Sequence, residues 1–113
     1  METPKAKVLL TGVAASQGIA RGKVKIVSGI QDAPSFEEGS ILVTHITDPT
    51  MVMMMAMASA IICDIGGIAS HPAIVSREMG IPCIVNTTNG TKVLQDGQGV
   101  VVDGTRGEVY AAE

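Results

Sequence analysis

The middle of the chain constrains the fold most, because short apolar runs and helix signals alternate there. ILVTHI, AIICDI and PCIVN are too short for helices and are bounded by polar or turn residues, so they read as buried strands. Between the first two, Asp48 is an N-cap and Pro49 takes the first helical position, starting a helix that runs to about residue 58. Between the second and third, GGIAS is a tight loop and HPAIVSREMG a second helix, with Gly80 as its stop. Strands separated by helices need crossover connections, which favour a parallel central sheet.

The ends are richer in β-structure. KVLLTGV reads as a strand, AASQGIARG as a turn-rich connection, and KVKIV as a half-buried strand. QDAPSFEEG is a loop with one helical turn, and TKVLQDG is a short helical turn. QGVVVDG and GEVYAA form a hairpin around residues 103–107. The expected fold is therefore α/β, with a central sheet, flanking helices and β-hairpins at both termini. With 113 residues it is one domain, 1–113, burying roughly two-thirds of its unfolded surface. There is no room for separate nucleotide and substrate domains, so any multi-step reaction needs other chains.

Composition narrows the function classes. Charged residues are 17% and apolar ones 46%, which argues against disorder. The only aromatics are Phe36 and Tyr110, net charge is −3, and no Lys or Arg lies between Lys25 and Arg77. Base-stacking platforms and basic stripes are thus absent, and nucleic acid is disfavoured as a partner. The apolar stretch over residues 51–63 is shorter than the roughly 18 residues of a membrane span, and METPKAKV lacks a signal core. The expectation is a cytoplasmic protein with no membrane contact. Cys63 and Cys83 sit in apolar runs and read as buried free thiols, with one disulfide as the alternative. His45 has no ligand-spaced partner, and no metal site is expected.

Residues 51–58 read MVMMMAMA, with no polar stripe. A small domain hardly buries a helix on all sides, so some thioethers should stay exposed. Self-association or docking through this helix is one expectation, and burial in the core is the other.

The segment GGIASHPAIVSREMGIP carries the most chemistry. Ser70 is an N-cap candidate, and His71 and Pro72 fall in the first turn, where Pro loses no hydrogen bond. At 100° per residue, Ile74, Val75 and Met79 share an apolar arc with His71 at its rim, while Ser76 and Arg77 point away. An imidazole at a helix N-terminus beside Gly66 and Gly67 suits transient carriage of a phosphoryl group. Neutral imidazole is nucleophilic, and loop and helix N–H groups meet the anion. The bland reading is a first-turn histidine bonded to a backbone carbonyl. Gly66 and Gly67 serve either a strand-to-helix turn or approach to phosphates. Ser70 serves as cap or phosphoryl donor. Arg77 reads as a structural ion pair, with Glu78 or a loop carboxylate, ahead of phosphate contact.

GGIASHPAIVSREMGIPCIV closely resembles the phosphohistidine signature of the phosphoenolpyruvate-utilising enzymes, which include pyruvate phosphate dikinase, phosphoenolpyruvate synthase and Enzyme I of the sugar phosphotransferase system. LTGVAASQGIARGKVKIV, ILVTHITDPTMV and TKVLQDGQGVVVDGTRGEVY resemble the flanking segments, so nearly the whole chain matches. The resemblance implies a swivelling β/β/α domain phosphorylated on His71, at Nε2. It implies shuttling between an ATP-grasp nucleotide domain and a phosphoenolpyruvate/pyruvate barrel. Here both would be partner chains, holding Mg and ATP or phosphoenolpyruvate, with no cofactor on this domain. Two positions depart from the pattern. Ala69 stands where many relatives have a regulatory Thr, and Pro72 where a small residue is usual. The rival readings are a non-catalytic regulatory or binding module and a swivelling small subunit of another enzyme, such as an aconitase-like dehydratase. The HPAIVSRE match counts against the last.

Overall fold

The computed structural model describes residues 7–112. The segment METPKA, read above for targeting signals, lies outside the described residues, as does Glu113.

Two strands take the place of the first expected one and its turn-rich connection. β1 (Val8–Thr11) and β2 (Val13–Ser16) part at Gly12, where the chain changes partners. β1 pairs antiparallel with β8 (Glu108–Ala111), and β2 pairs antiparallel with β6 (Cys83–Val85). A Cβ at Gly12 would lie 2.5 Å from the Val85 carbonyl oxygen, so the crossing has room only for glycine.

β3 (Ile19–Val27) is shared between two pairings. Residues 19–23 run antiparallel to β7 (Gly99–Asp103), and residues 24–27 run parallel to β4 (Ile41–Thr44). β4, β5 (Ala60–Cys63) and β6 are parallel, as the alternation predicts. The full order is β1-β8-β7-β3-β4-β5-β6-β2. The C-terminal hairpin, β7 with β8, forms as expected. The N-terminal hairpin does not. β1 pairs with β8 and β2 with β6, and β3 pairs with β7 and β4, so none of the three pairs with another of them.

Side-chain alternation along β4–β6 divides the core into two layers. Leu42, Ile61, Cys63, Cys83 and Val85 face the helices α1 (Val52–Met57) and α2 (His71–Met79). Ile41, Val43, Ala60, Ile62 and Ile84 face Leu10, Val100, Val102 and Val109 of the antiparallel strands. A short helix, α3 (Gly90–Val93), precedes Leu94 in that second layer. The result is sheet on sheet on helix, with the parallel strands in the middle. Each large aliphatic side chain fully buried there contributes about 1.5–3 kcal/mol.

Of the two readings of the methionine helix, burial holds for Met51, Met54 and Met55, while Met53 and Met57 stay on the surface, as expected of some thioethers. The expectation for the second helix changes. α2 is rotated from the apolar arc expected of it. Pro72, Ala73 and Ser76 are its buried residues, while Ile74 and Met79 are exposed. Small side chains let α2 lie close to β2 and β6, and that close packing outweighs the hydrophobicity of Ile74 and Met79.

Candidate functional site

The carboxyl ends of β4 and β5 carry the polar residues of the molecule's middle. After β5 the chain passes through Asp64 and Ile65 into the glycine loop, and α2 begins at His71. Gly66 has φ +117°, and a Cβ there would lie 2.9 Å from Ser70 Oγ, so its identity is dictated by the turn. Gly67 has no atom within 4 Å of where a Cβ would stand. Gly66 therefore shapes the loop, and Gly67 leaves open space over it.

Ser70 occupies the N-cap position with extended backbone, but its side chain does not cap the helix. Its hydroxyl donates to the Gly67 carbonyl at 2.6 Å. The capping role is thus corrected, because the loop's own carbonyl lies closer to hand. First-turn N–H groups are left without a side-chain acceptor, as suits an incoming oxyanion.

His71 stands in that first turn, half-buried, with Nδ1 2.7 Å from Thr47 Oγ1. Thr47 is buried between β4 and α1, so this contact fixes the ring. When Nδ1–H donates to Thr47, Nε2 keeps its lone pair as the free nitrogen. Asp48 follows directly and accepts from the Thr50 N–H at 2.8 Å and from the Thr50 hydroxyl, the cap expected for the next helix. Those two Thr50 bonds hold the Asp48 carboxyl below its usual range, with a smaller attractive share from His71.

Arg77 is structural, but not as an ion pair. Its Nη1 donates to the Ala15 carbonyl at 2.9 Å and its Nη2 to the Ile68 carbonyl at 2.7 Å. The guanidinium thereby ties the glycine loop to edge strand β2, and no carboxylate shares it among the described residues. A cavity of about 550 Å³ lined by Ala15, Arg77, Gly80 and Gly104 lies toward the far end of α2, and His71 does not line it.

His45, without a partner by spacing, has one by folding. Its Nδ1 lies 3.3 Å from Asp64 Oδ2, and Asp64 is buried while the imidazole is 67% exposed. Asp64 also accepts the Thr91 N–H at 2.9 Å and the Thr91 hydroxyl at 2.6 Å. Sequence reasoning missed Thr47, Asp64 and Thr91. A carboxylate closing the run AIICDI was the available signal for Asp64, since a buried charge must be paired. Thr47 and Thr91 gave none. Among the described residues no group of three or more His, Cys, Asp or Glu side chains is arranged to hold a metal. Cys63 and Cys83 are free and buried; burial pushes the Cys63 thiol far above its usual range and the Cys83 thiol up to about 11. No described helix is long and apolar enough to cross a membrane.

Known proteins are similar to this chain in sequence and fold. The family "PEP-utilising enzyme, mobile domain" matches residues 36–107. The chain is 51% identical over 109 residues to phosphoenolpyruvate synthase of Aeropyrum pernix, covering 96% of this chain and 13% of that protein. It is equally similar to the probable phosphoenolpyruvate synthase of Archaeoglobus fulgidus, covering 14% of it. The chain thus spans about a seventh of the curated relatives it matches. Among solved structures, Enzyme I in solution superposes with a TM-score of 0.58 at 31% identity, over 66% of this chain and 31% of that one. Aconitase X of Thermococcus kodakaraensis superposes with a TM-score of 0.67 at 20% identity, over 92% of this chain and 98% of that one, a likeness of fold alone. With half its residues shared with the synthases along nearly its whole length, and the family pattern running from Phe36 to Gly107, the chain belongs to the mobile-domain family of the PEP-utilising enzymes.

Proposed function

We propose that this chain is a phosphoryl carrier: His71 accepts a phosphoryl group from one partner and delivers it to another. The observation that carries the reading is the 2.7 Å contact between His71 Nδ1 and the buried Thr47 hydroxyl, at the head of α2 beside the glycine loop. In the step we envisage, the Nε2 lone pair attacks phosphorus in line with the leaving oxygen. The N–P bond forms as the P–O bond breaks, and the electron pair leaves with that oxygen. Nδ1 keeps its proton, held by Thr47. The first-turn N–H groups and the space over Gly67 suit the phosphoryl oxygens, and Ser70 would add its hydroxyl by exchanging its bond to the Gly67 carbonyl for one to the phosphoryl group. Positioning of this kind supplies much of the catalysis in phosphoryl transfer. Arg77 supports the site from behind, through Ile68.

The partners follow from size and likeness. The chain spans about a seventh of the synthases it resembles, so the transfer would draw on an ATP-grasp nucleotide-binding partner and a phosphoenolpyruvate/pyruvate-type acceptor partner, with Mg and ATP or phosphoenolpyruvate bound there. Exposed Ile68 in the glycine loop and Ile74 on α2 favour docking of an apolar surface, and self-association would use the exposed Met53 and Met57 of α1. Two free buried thiols fit a reducing cytoplasm.

The test is intact mass under non-acidic conditions, with wild type and His71→Ala incubated with ATP or phosphoenolpyruvate, magnesium and host extract. One acid-labile phosphoryl adduct on wild type alone is the expected result. No adduct with either donor, while a family member labels in the same extract, turns the reading toward a regulatory or binding module.

A further inference from the structure

We propose that Asp64 is a positioning residue for His71: with His45 and Thr91 it locks the entrance to the glycine loop, and the charge on His45 sets how tightly. The inference rests on His71 as the working group, but the lock itself is a property of the loop.

Five bonds converge on this residue. The Asp64 N–H donates to the Thr44 carbonyl at 3.1 Å, and its own carbonyl accepts from Thr88 at 2.8 Å. Its carboxylate takes both Thr91 donors and faces His45 Nδ1. His45 holds the same stretch a second time, since its carbonyl accepts the Ile65 N–H at 3.2 Å. β4, β5 and the β6–α3 connection are thus tied together two residues before Gly66. Downstream, among the described residues, the loop is tied by the Ser70 N–H and hydroxyl to the Gly67 carbonyl and by Arg77 to the Ile68 carbonyl. A buried carboxylate with two neutral donors is under-compensated, and a neighbouring imidazolium would complete it.

By alternation, His45 and Asp64 continue the face of Val43 and Ile62, which looks toward the antiparallel strands, whereas α2 covers the other face. His45 therefore acts on His71 through the loop and not by contact. The charged and titratable groups around it are few. Asp64 follows β5, Asp48 lines the same cavity of about 440 Å³, Lys92 is on α3 beside Thr91, and Asp96 and Asp32 accept from the Ile26 and Ser28 N–H groups of that cavity's lining. β3 and β4 bring Ser28 and Thr44 to that cavity, which are uncharged. Histidine is the side chain that changes charge between about pH 5 and 8.

The direct experiment is ¹⁵N relaxation of the Gly66, Gly67 and Ile68 amides at pH 5.5 and 8.0, in wild type and His45→Gln, on the whole chain. The lock predicts a more ordered loop at the lower pH in wild type and no pH response in His45→Gln, whose spectrum stays folded. A wild-type loop with equal order at both values overturns the proposal. So does a pH response that survives in His45→Gln, which would assign it to His71. Asp64→Asn is the second variant. It should mobilise the loop at both pH values and slow phosphoryl capture by His71 by about tenfold or more, as misplacement of a reacting group does. Rigid loop amides in a folded Asp64→Asn chain would also overturn the lock. If wild type shows the pH response but never takes up phosphoryl, the carrier reading fails and the lock stands.

Discussion

The chain has two histidines, and they are built as opposites. His71 is half-buried at a helix N-terminus, its Nδ1 against a neutral hydroxyl, with a glycine loop beside it and no carboxylate bonded to the ring. His45 is mostly exposed beyond the end of a strand, its Nδ1 against a buried carboxylate, in a cavity whose other charged residue is Asp48. The first surroundings favour an anion arriving at the ring, through helix and loop N–H groups. The second set a buried carboxylate against the ring, and that negative charge repels an incoming phosphoryl group. An imidazole is nucleophilic in either place, so under the proposed carrier function the surroundings of the product, and not the ring, single out His71.

That contrast sets the largest expected effect. His71→Ala should abolish the acid-labile adduct, and His45→Ala should still label, by intact mass on the two purified variants. Labelling of both, or of neither, would dissolve the distinction.

Thr47→Val tests what orients His71. It keeps the side chain's shape and removes the 2.7 Å contact. Labelling should slow by about 100-fold, the usual consequence of a misplaced reacting group, with a stability loss of about 1 kcal/mol. A rate unchanged in stopped-time mass measurements would remove Thr47 from the site.

The two loop glycines should separate in urea melts. Gly66→Ala forces a side chain into positive φ against Ser70 Oγ and should lose about 1–3 kcal/mol. Gly67→Ala enters open space and should stay within about 0.5 kcal/mol. If Gly67→Ala nevertheless slows labelling, the open space belongs to the donor.

The smallest effect concerns Asp48. Its folded carboxyl titrates below the usual 3.8, chiefly through Thr50, so its contribution is present above about pH 4 and is lost as the pH falls through the lowered value. Asp48→Asn should therefore lower the melting temperature at pH 7 and converge with wild type toward pH 2.

The histidine loop was legible in the sequence because local chemistry writes it: two glycines, a residue at the N-cap, then His71-Pro72 opening a helix that ends at Gly80. The parallel middle was legible for the same reason, since strand and helix periods differ. The face of α2 was not. Its apolar arc predicted Ile74 and Met79 inside, but helix-to-sheet distance selected Ala73 and Ser76 instead. Arg77 illustrates the same limit, for charge suggested a carboxylate and geometry supplied two carbonyls.

By itself, then, the sequence determined the elements of the middle, the C-terminal hairpin and His71 as the reactive candidate, all of which depend on neighbours within a few residues. Only the tertiary structure decided the change of partners at Gly12, the contact of Thr47 with His71 across 24 residues, and the Asp64 hub joining His45 to Thr91. Those contacts depend on which strands lie side by side. That choice is made by packing two apolar faces of one sheet at once, and no short stretch of sequence encodes it.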